Sequence, residues 1–150
     1  LFTGAWVLPL NPEHQALFEQ MAGTVRDQGG QAAVFISQAI EGGDDAVVAR
    51  FAADRAREYG EFAERSDALL AEVARERSRE KFTFAELEEI EDDLEKLTVW
   101  LARIEARDFF PDVKRQAARD KLGLCRVAQQ SFAEDVYARE GLGEPDAEIP

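Results

Sequence analysis

One cysteine and one histidine occur in 150 residues, and each scarcity excludes something. Cys125 has no second cysteine to pair with, so no internal disulfide is expected. The chain is accordingly expected in a reducing compartment, the cytoplasm. His14 alone supplies no ligand set, so neither a metal nor a cofactor is expected. No apolar run approaches the roughly 20 residues that span a bilayer, and no basic stretch leads into a short apolar one. Neither membrane anchoring nor export is expected. Basic residues are outnumbered, 18 Lys and Arg against 31 Asp and Glu, a formal net charge of -13. Such a surface repels a phosphate backbone, so DNA binding by this segment alone is not expected. Gly29-Gly30 lacks the further glycine and the helix of a phosphate-binding loop. No Ser or Cys occupies a nucleophile-elbow context. The chain is not expected to be an enzyme.

What is present is a globular composition, 45% apolar, in a length that suits a single core. Leu1 stands where Met would open a chain, and Gly4-Ala5-Trp6-Val7-Leu8 reads as the inside of a strand. The chain is therefore expected to start partway through a fold. Ala5 to Leu8 reads as one strand, stopped by Pro9, and Ala32 to Ile36 as a second. Between them Asn11-Pro12-Glu13 opens a helix as N-cap, first-turn proline and first-turn acid. His14, Leu17, Phe18, Met21 and Val25 form its apolar stripe, and Gly29-Gly30 ends it. The expected fold is α+β and predominantly helical: a partial ferredoxin-like β-α-β unit over 1–43, then three long antiparallel helices over 44–140. Residues 141–150, polar and with two prolines, read as a flexible tail or linker.

The first long helix is expected from about Asp44 to about Arg79. Its inward stripe is Val48, Ala52, Arg55, Tyr59, Phe62, Ser66, Leu69 and Val73, interrupted by Gly60. Arg75 to Lys81 is locally basic but broken by acids, and reads as a solvated helix end. Phe82-Thr83-Phe84-Ala85-Glu86-Leu87 holds a capping box, Thr83 with Glu86, and a hydrophobic staple, Phe82 with Leu87. Leu87, Ile90, Leu94, Leu97, Leu101 and Ile104 then follow a heptad seam suited to packing on another helix. The face opposite, Glu88 to Glu95, reads as solvated rather than as a di-metal site, which would need inward Glu-x-x-His pairs. After Phe109-Phe110-Pro111 turns the chain, a third helix runs to about Tyr137. Its stripe is Ala118, Leu122, Cys125, Gln129, Phe132 and Val136, which makes Cys125 a buried structural thiol.

Arg55, Tyr59 and Ser66 occupy an inward stripe where apolar residues would pack better. A buried arginine demands an acid or an anion. Arg103 and Arg107, with Lys114 and Arg115 beyond, are in reach of the same region. Two readings stand: an inter-helix ion pair with Asp108 or Glu105, or a small oxyanion pocket formed by Arg55, Tyr59, Arg103 and Arg107.

The stretches Arg57-Glu58-Tyr59-Gly60-Glu61-Phe62, Lys81-Phe82-Thr83-Phe84-Ala85-Glu86-Leu87-Glu88-Glu89 and Leu97-Thr98-Val99-Trp100-Leu101 resemble the N-terminal region of the chromate-resistance protein ChrB. So do Arg107-Asp108-Phe109-Phe110-Pro111 and the opening Gly4-Ala5-Trp6-Val7-Leu8-Pro9. A similar region occurs in PaaX-type repressors. The resemblance implies a regulatory, non-enzymatic role in transcriptional control of chromate efflux, with chromate as a candidate ligand. It also implies a preceding strand and basic helix, and a separate C-terminal domain. The alternative from the residues alone is a helical interaction or dimerisation module. Its Leu87-to-Ile104 seam would then meet a second copy or the rest of its own chain.

Overall fold

The computed structural model describes residues 4–141, with four helices in the order α1 (Pro12–Asp27), α2 (Gly43–Ser78), α3 (Phe84–Glu105) and α4 (Val113–Arg139). Two compact units divide between Val47 and Val48. The tail expected from 141 onward lies, beyond Gly141, outside the described residues.

In the first unit, Asn11 Oδ1 accepts from the His14 amide at 2.7 Å, and Pro12 follows at the first helical position. At the other end of α1, Gly29 takes φ +82°, and the Gly30 amide reaches back to the Val25 carbonyl at 2.9 Å. A Cβ at Gly30 would come within 2.7 Å of Val25 Cγ1, so the turn needs glycine at both positions.

The α+β expectation fails here. Among the described residues there is no strand, and no backbone hydrogen bond joins residues 5–8 to residues 32–36. A β-ladder requires the amides and carbonyls of a second extended segment about 4.8 Å away. The two segments carry sheet-compatible side chains but do not meet, and Trp6 and Phe35 stay 84% and 78% exposed. Among the described residues the partial β-α-β unit is absent, and the regular elements are all helices.

The second unit is a three-helix bundle. Contacts rise together along α2 and α4, from Ser66 with Cys125 to Arg77 with Asp135, so these two run parallel. α3 returns between them, Trp100 against Phe62 and Glu105 against Arg119. The inward stripes meet in one core in which Phe62, Ile104, Phe132 and Val136 are fully buried. Ser66 keeps α2 close to α4: its hydroxyl turns back to the Phe62 carbonyl at 2.9 Å, and its own carbonyl accepts from the Cys125 thiol at 3.6 Å.

Thr83 Oγ1 accepts from the Glu86 amide at 3.3 Å, so α3 opens on the cap expected of it. Phe82 and Leu87 both pack into the core. Glu80 closes α2 at φ +54°, with the Lys81 amide reaching the Glu76 carbonyl at 3.0 Å. That is a glycine-type helix stop made by a residue with a side chain.

Candidate functional site

The 3–4 spacing of residues 55, 59, 62 and 66 places all four on the face of α2 that meets the bundle. At the end nearest the α3–α4 corner this face turns polar. Tyr59 Oη donates to Asp108 Oδ2 at 2.8 Å, and both side chains are buried, at 5% and 8% exposed. Burial first, then the adjacent carboxylate, pushes the Tyr59 phenol well above its ordinary value. The phenol therefore stays a donor.

Around this pair, arginines and acids interleave. Arg55 Nη1 donates to the Arg107 carbonyl at 3.1 Å, holding α2 to the corner. Arg55 Nε lies 3.1 Å from Glu58 Oε2, and Arg107 Nη2 approaches the same oxygen at 3.3 Å. Arg107 Nε donates to the Arg103 carbonyl at 3.0 Å. On the α4 side, Arg119 grips Glu105 with two bonds of 2.7 and 3.1 Å, and Arg115 Nε stands 3.7 Å away. The Arg119 hydrogen bond holds the Glu105 carboxyl below its ordinary range.

Of the four residues expected to form an anion pocket, the structure brings Arg55, Tyr59 and Arg107 together. The Arg103 side chain is exposed and contributes only its carbonyl. Between the two acids proposed for the inward polar residues, Asp108 goes to Tyr59, while Glu105 takes Arg119 and Arg115. Arg55 takes Glu58 from its own helix. Lys114 folds onto Asp112, the N-cap of α4, at 2.8 Å.

The expected interface residues Leu87, Ile90, Leu97, Leu101 and Ile104 are buried in the chain's own core, with Leu94 partly buried beside them. On the opposite face of α3, Asp93 pairs with Lys96 at 2.7 Å, and Glu91 accepts from Gln129 at 3.0 Å. His14 Nδ1 sits 2.7 Å from the Pro9 carbonyl. Burial raises the Cys125 thiol above its ordinary value. Among the described residues no three His, Cys, Asp or Glu side chains gather to hold a metal, and no helix is long and apolar enough to cross a membrane.

One buried charge went unread. Glu76, inside the stretch taken for a solvated helix end, is 3% exposed. It meets Arg75 at 3.0 Å, Arg79 at 3.5 Å and Lys81 at 3.8 Å. The Arg75 hydrogen bond, ahead of the other two cations, keeps it ionised by lowering its proton affinity. The signal was available: three residues beyond Val73 the inward stripe lands on Glu76.

This polar frame, the Thr83 boundary and the Phe109-Phe110-Pro111 corner sit on the stretches that resemble ChrB. The family described as "Protein ChrB, N-terminal" matches over residues 1–142. The chain belongs to this family. Its membership links it to chromate resistance and extends through the helical bundle into both units. No curated protein and no solved structure matches the chain.

Proposed function

We propose that this ChrB-family chain is a regulatory, non-enzymatic module in the transcriptional control of chromate efflux, and that the arginine-rich corner of its bundle senses an oxyanion. One observation carries the reading. Arg55 on α2 and Arg107 in the turn after α3 converge on the single oxygen Glu58 Oε2. A monoanionic carboxylate shared in this way leaves both guanidinium groups short of acceptors. A tetrahedral dianion offers each its own oxygen, in charge-assisted bonds about twice as strong as neutral ones. Binding would proceed by exchange: the oxyanion displaces Glu58, and the tie between α2 and the α3–α4 corner is remade through the ligand. That exchange is the regulatory step, because it alters how firmly α2 is held. The corner works as a sensor without chemistry on the anion.

The test is thermal unfolding of the chain with chromate or sulfate. At a hundred times its dissociation constant, a ligand specific for the native state adds about 2.7 kcal/mol, a shift of several degrees. Arg107→Gln, at a half-exposed position, should leave the fold intact and abolish the shift, while Glu58→Gln should enlarge it. An unmoved midpoint in the parent with both anions rejects the sensing role.

A further inference from the structure

The corner holds a buried donor beyond the two arginines that meet at Glu58. Arg115, in the first turn of α4, has its Nε buried with no hydrogen-bond acceptor among the described residues. Glu105 Oε1 stands 3.7 Å from it, too far for a hydrogen bond. Both oxygens of that carboxylate are occupied by Arg119. Arg55 Nε is buried and without a hydrogen bond as well, since Glu58 Oε2 is 3.1 Å away but out of line.

A buried N–H with no acceptor loses its hydration and gains nothing for it, so native structures keep few. Here two belong to guanidinium groups that flank one buried pair. Arg55 is tied to the Arg107 carbonyl, next in the chain to Asp108, and Asp108 is bonded to Tyr59. Burial raises the Tyr59 phenol most, and Arg115 is near enough for its charge to oppose that rise. Charge points the same way. Arg55, Arg107, Arg115 and Arg119 face only the carboxylates of Glu58, Glu105 and Asp108. A locally positive corner stands out on a chain of net charge -13.

Resting on the oxyanion reading above, we infer that Arg115 is a further ligand of the same anion, which makes the corner selective for dianions over monoanions. Once Glu58 is displaced, Arg55 and Arg107 hold the anion from one side and Arg115 holds it from α4. Each added cation attracts a ligand in proportion to the ligand's charge, and partly buried charges are screened less than exposed ones. Losing one guanidinium therefore costs a dianion more than a monoanion. The bound anion joins α4 to α2 as well as to the turn after α3.

The experiment is calorimetric titration of the chain at fixed ionic strength, with sulfate as the dianion and perchlorate as a tetrahedral monoanion. Sulfate should bind the parent about tenfold tighter or more. Arg115→Gln should weaken sulfate about tenfold or more and narrow its lead over perchlorate. Arg115→Lys, which keeps the charge and loses the Nε–H, should fall between. Because Arg119 makes the Glu105 bonds, Arg115→Gln should unfold at nearly the parent's midpoint, so that lost binding is not lost fold. A parent that binds neither anion overturns the oxyanion reading and this inference with it. If the parent binds sulfate, Arg107→Gln abolishes that binding and Arg115→Gln leaves it unchanged, the reading stands and Arg115 is not a ligand. Equal affinity of the parent for sulfate and perchlorate also overturns the inference.

Discussion

Replacing Tyr59 with phenylalanine removes one oxygen and leaves the ring in place. The lost bond runs to a carboxylate, Asp108, that is 8% exposed and therefore short of water to take its place. Hydrogen bonds to charged groups contribute about 1.5–3 kcal/mol. With the buried ring retained, we expect Tyr59→Phe to destabilise the bundle by about 2 kcal/mol, a fall in midpoint of roughly 4–8 °C for a chain of this size. Trp100 lies in the same unit, packed on Phe62, and its emission reports the transition.

The pH dependence supplies a second readout. The folded phenol titrates above its ordinary 10.0. A group whose folded value is raised contributes stability that is complete below the unfolded value and lost as pH rises toward the folded one. Parent protein should therefore lose stability above about pH 10, and Tyr59→Phe should lose less of it. Cys125 adds its own loss from about pH 9, equally in both proteins. A variant within about 0.5 kcal/mol of the parent, with the same alkaline slope, would refute the claim that this bond holds the corner.

Glu80→Gly should stabilise the chain by about 0.5–1 kcal/mol, since relief of the φ +54° backbone outweighs the added entropy of the unfolded chain; urea unfolding checks the sign. Phe132→Ala, at a fully buried position against Phe82, should cost about 3–5 kcal/mol and lower the urea midpoint without changing the slope. Glu105 is held below its ordinary 4.5 chiefly by Arg119, so its contribution is present above that pH and lost as pH falls through the lower folded value. Glu105→Gln should consequently be less stable than the parent at pH 7, with the difference narrowing as pH falls below 4.5.

The helices were legible because their signals are local. Asn11, Thr83 and the glycines at 29–30 act within a few residues of themselves, and they appear in the structure as read. The three-four spacing of the first long helix likewise placed Tyr59, Phe62 and Ser66 inward. The strands were misread because strand propensity describes a surface that fits a sheet, and only a partner makes the sheet. Val34, Phe35 and Ile36 carry that propensity without the partner. The corner was half legible: spacing showed that Arg55 and Tyr59 face inward, but which acid each takes depends on the α3–α4 turn, a tertiary fact. Glu76 was hidden by its neighbours, since Arg75, Arg77 and Arg79 dominate the local composition and disguise one inward acid as part of a solvated run.

The Glu76 cluster and the Tyr59–Asp108 pair differ in the length of chain they close. Glu76 draws on residues 75, 79 and 81, and Lys81 reaches on to Glu86, all within one tight turn. Tyr59 and Asp108 are 49 residues apart. Closing short segments costs little chain entropy, and local contacts form early in folding. On those grounds the α2–α3 turn zips before the pairs that tie distant segments, Tyr59 with Asp108 and Arg77 with Asp135, 58 residues apart. The same order reversed governs opening: a fluctuation that parts the long-range pairs, Tyr59 with Asp108 and Arg77 with Asp135, can leave the α2–α3 turn closed as the template on which they re-form.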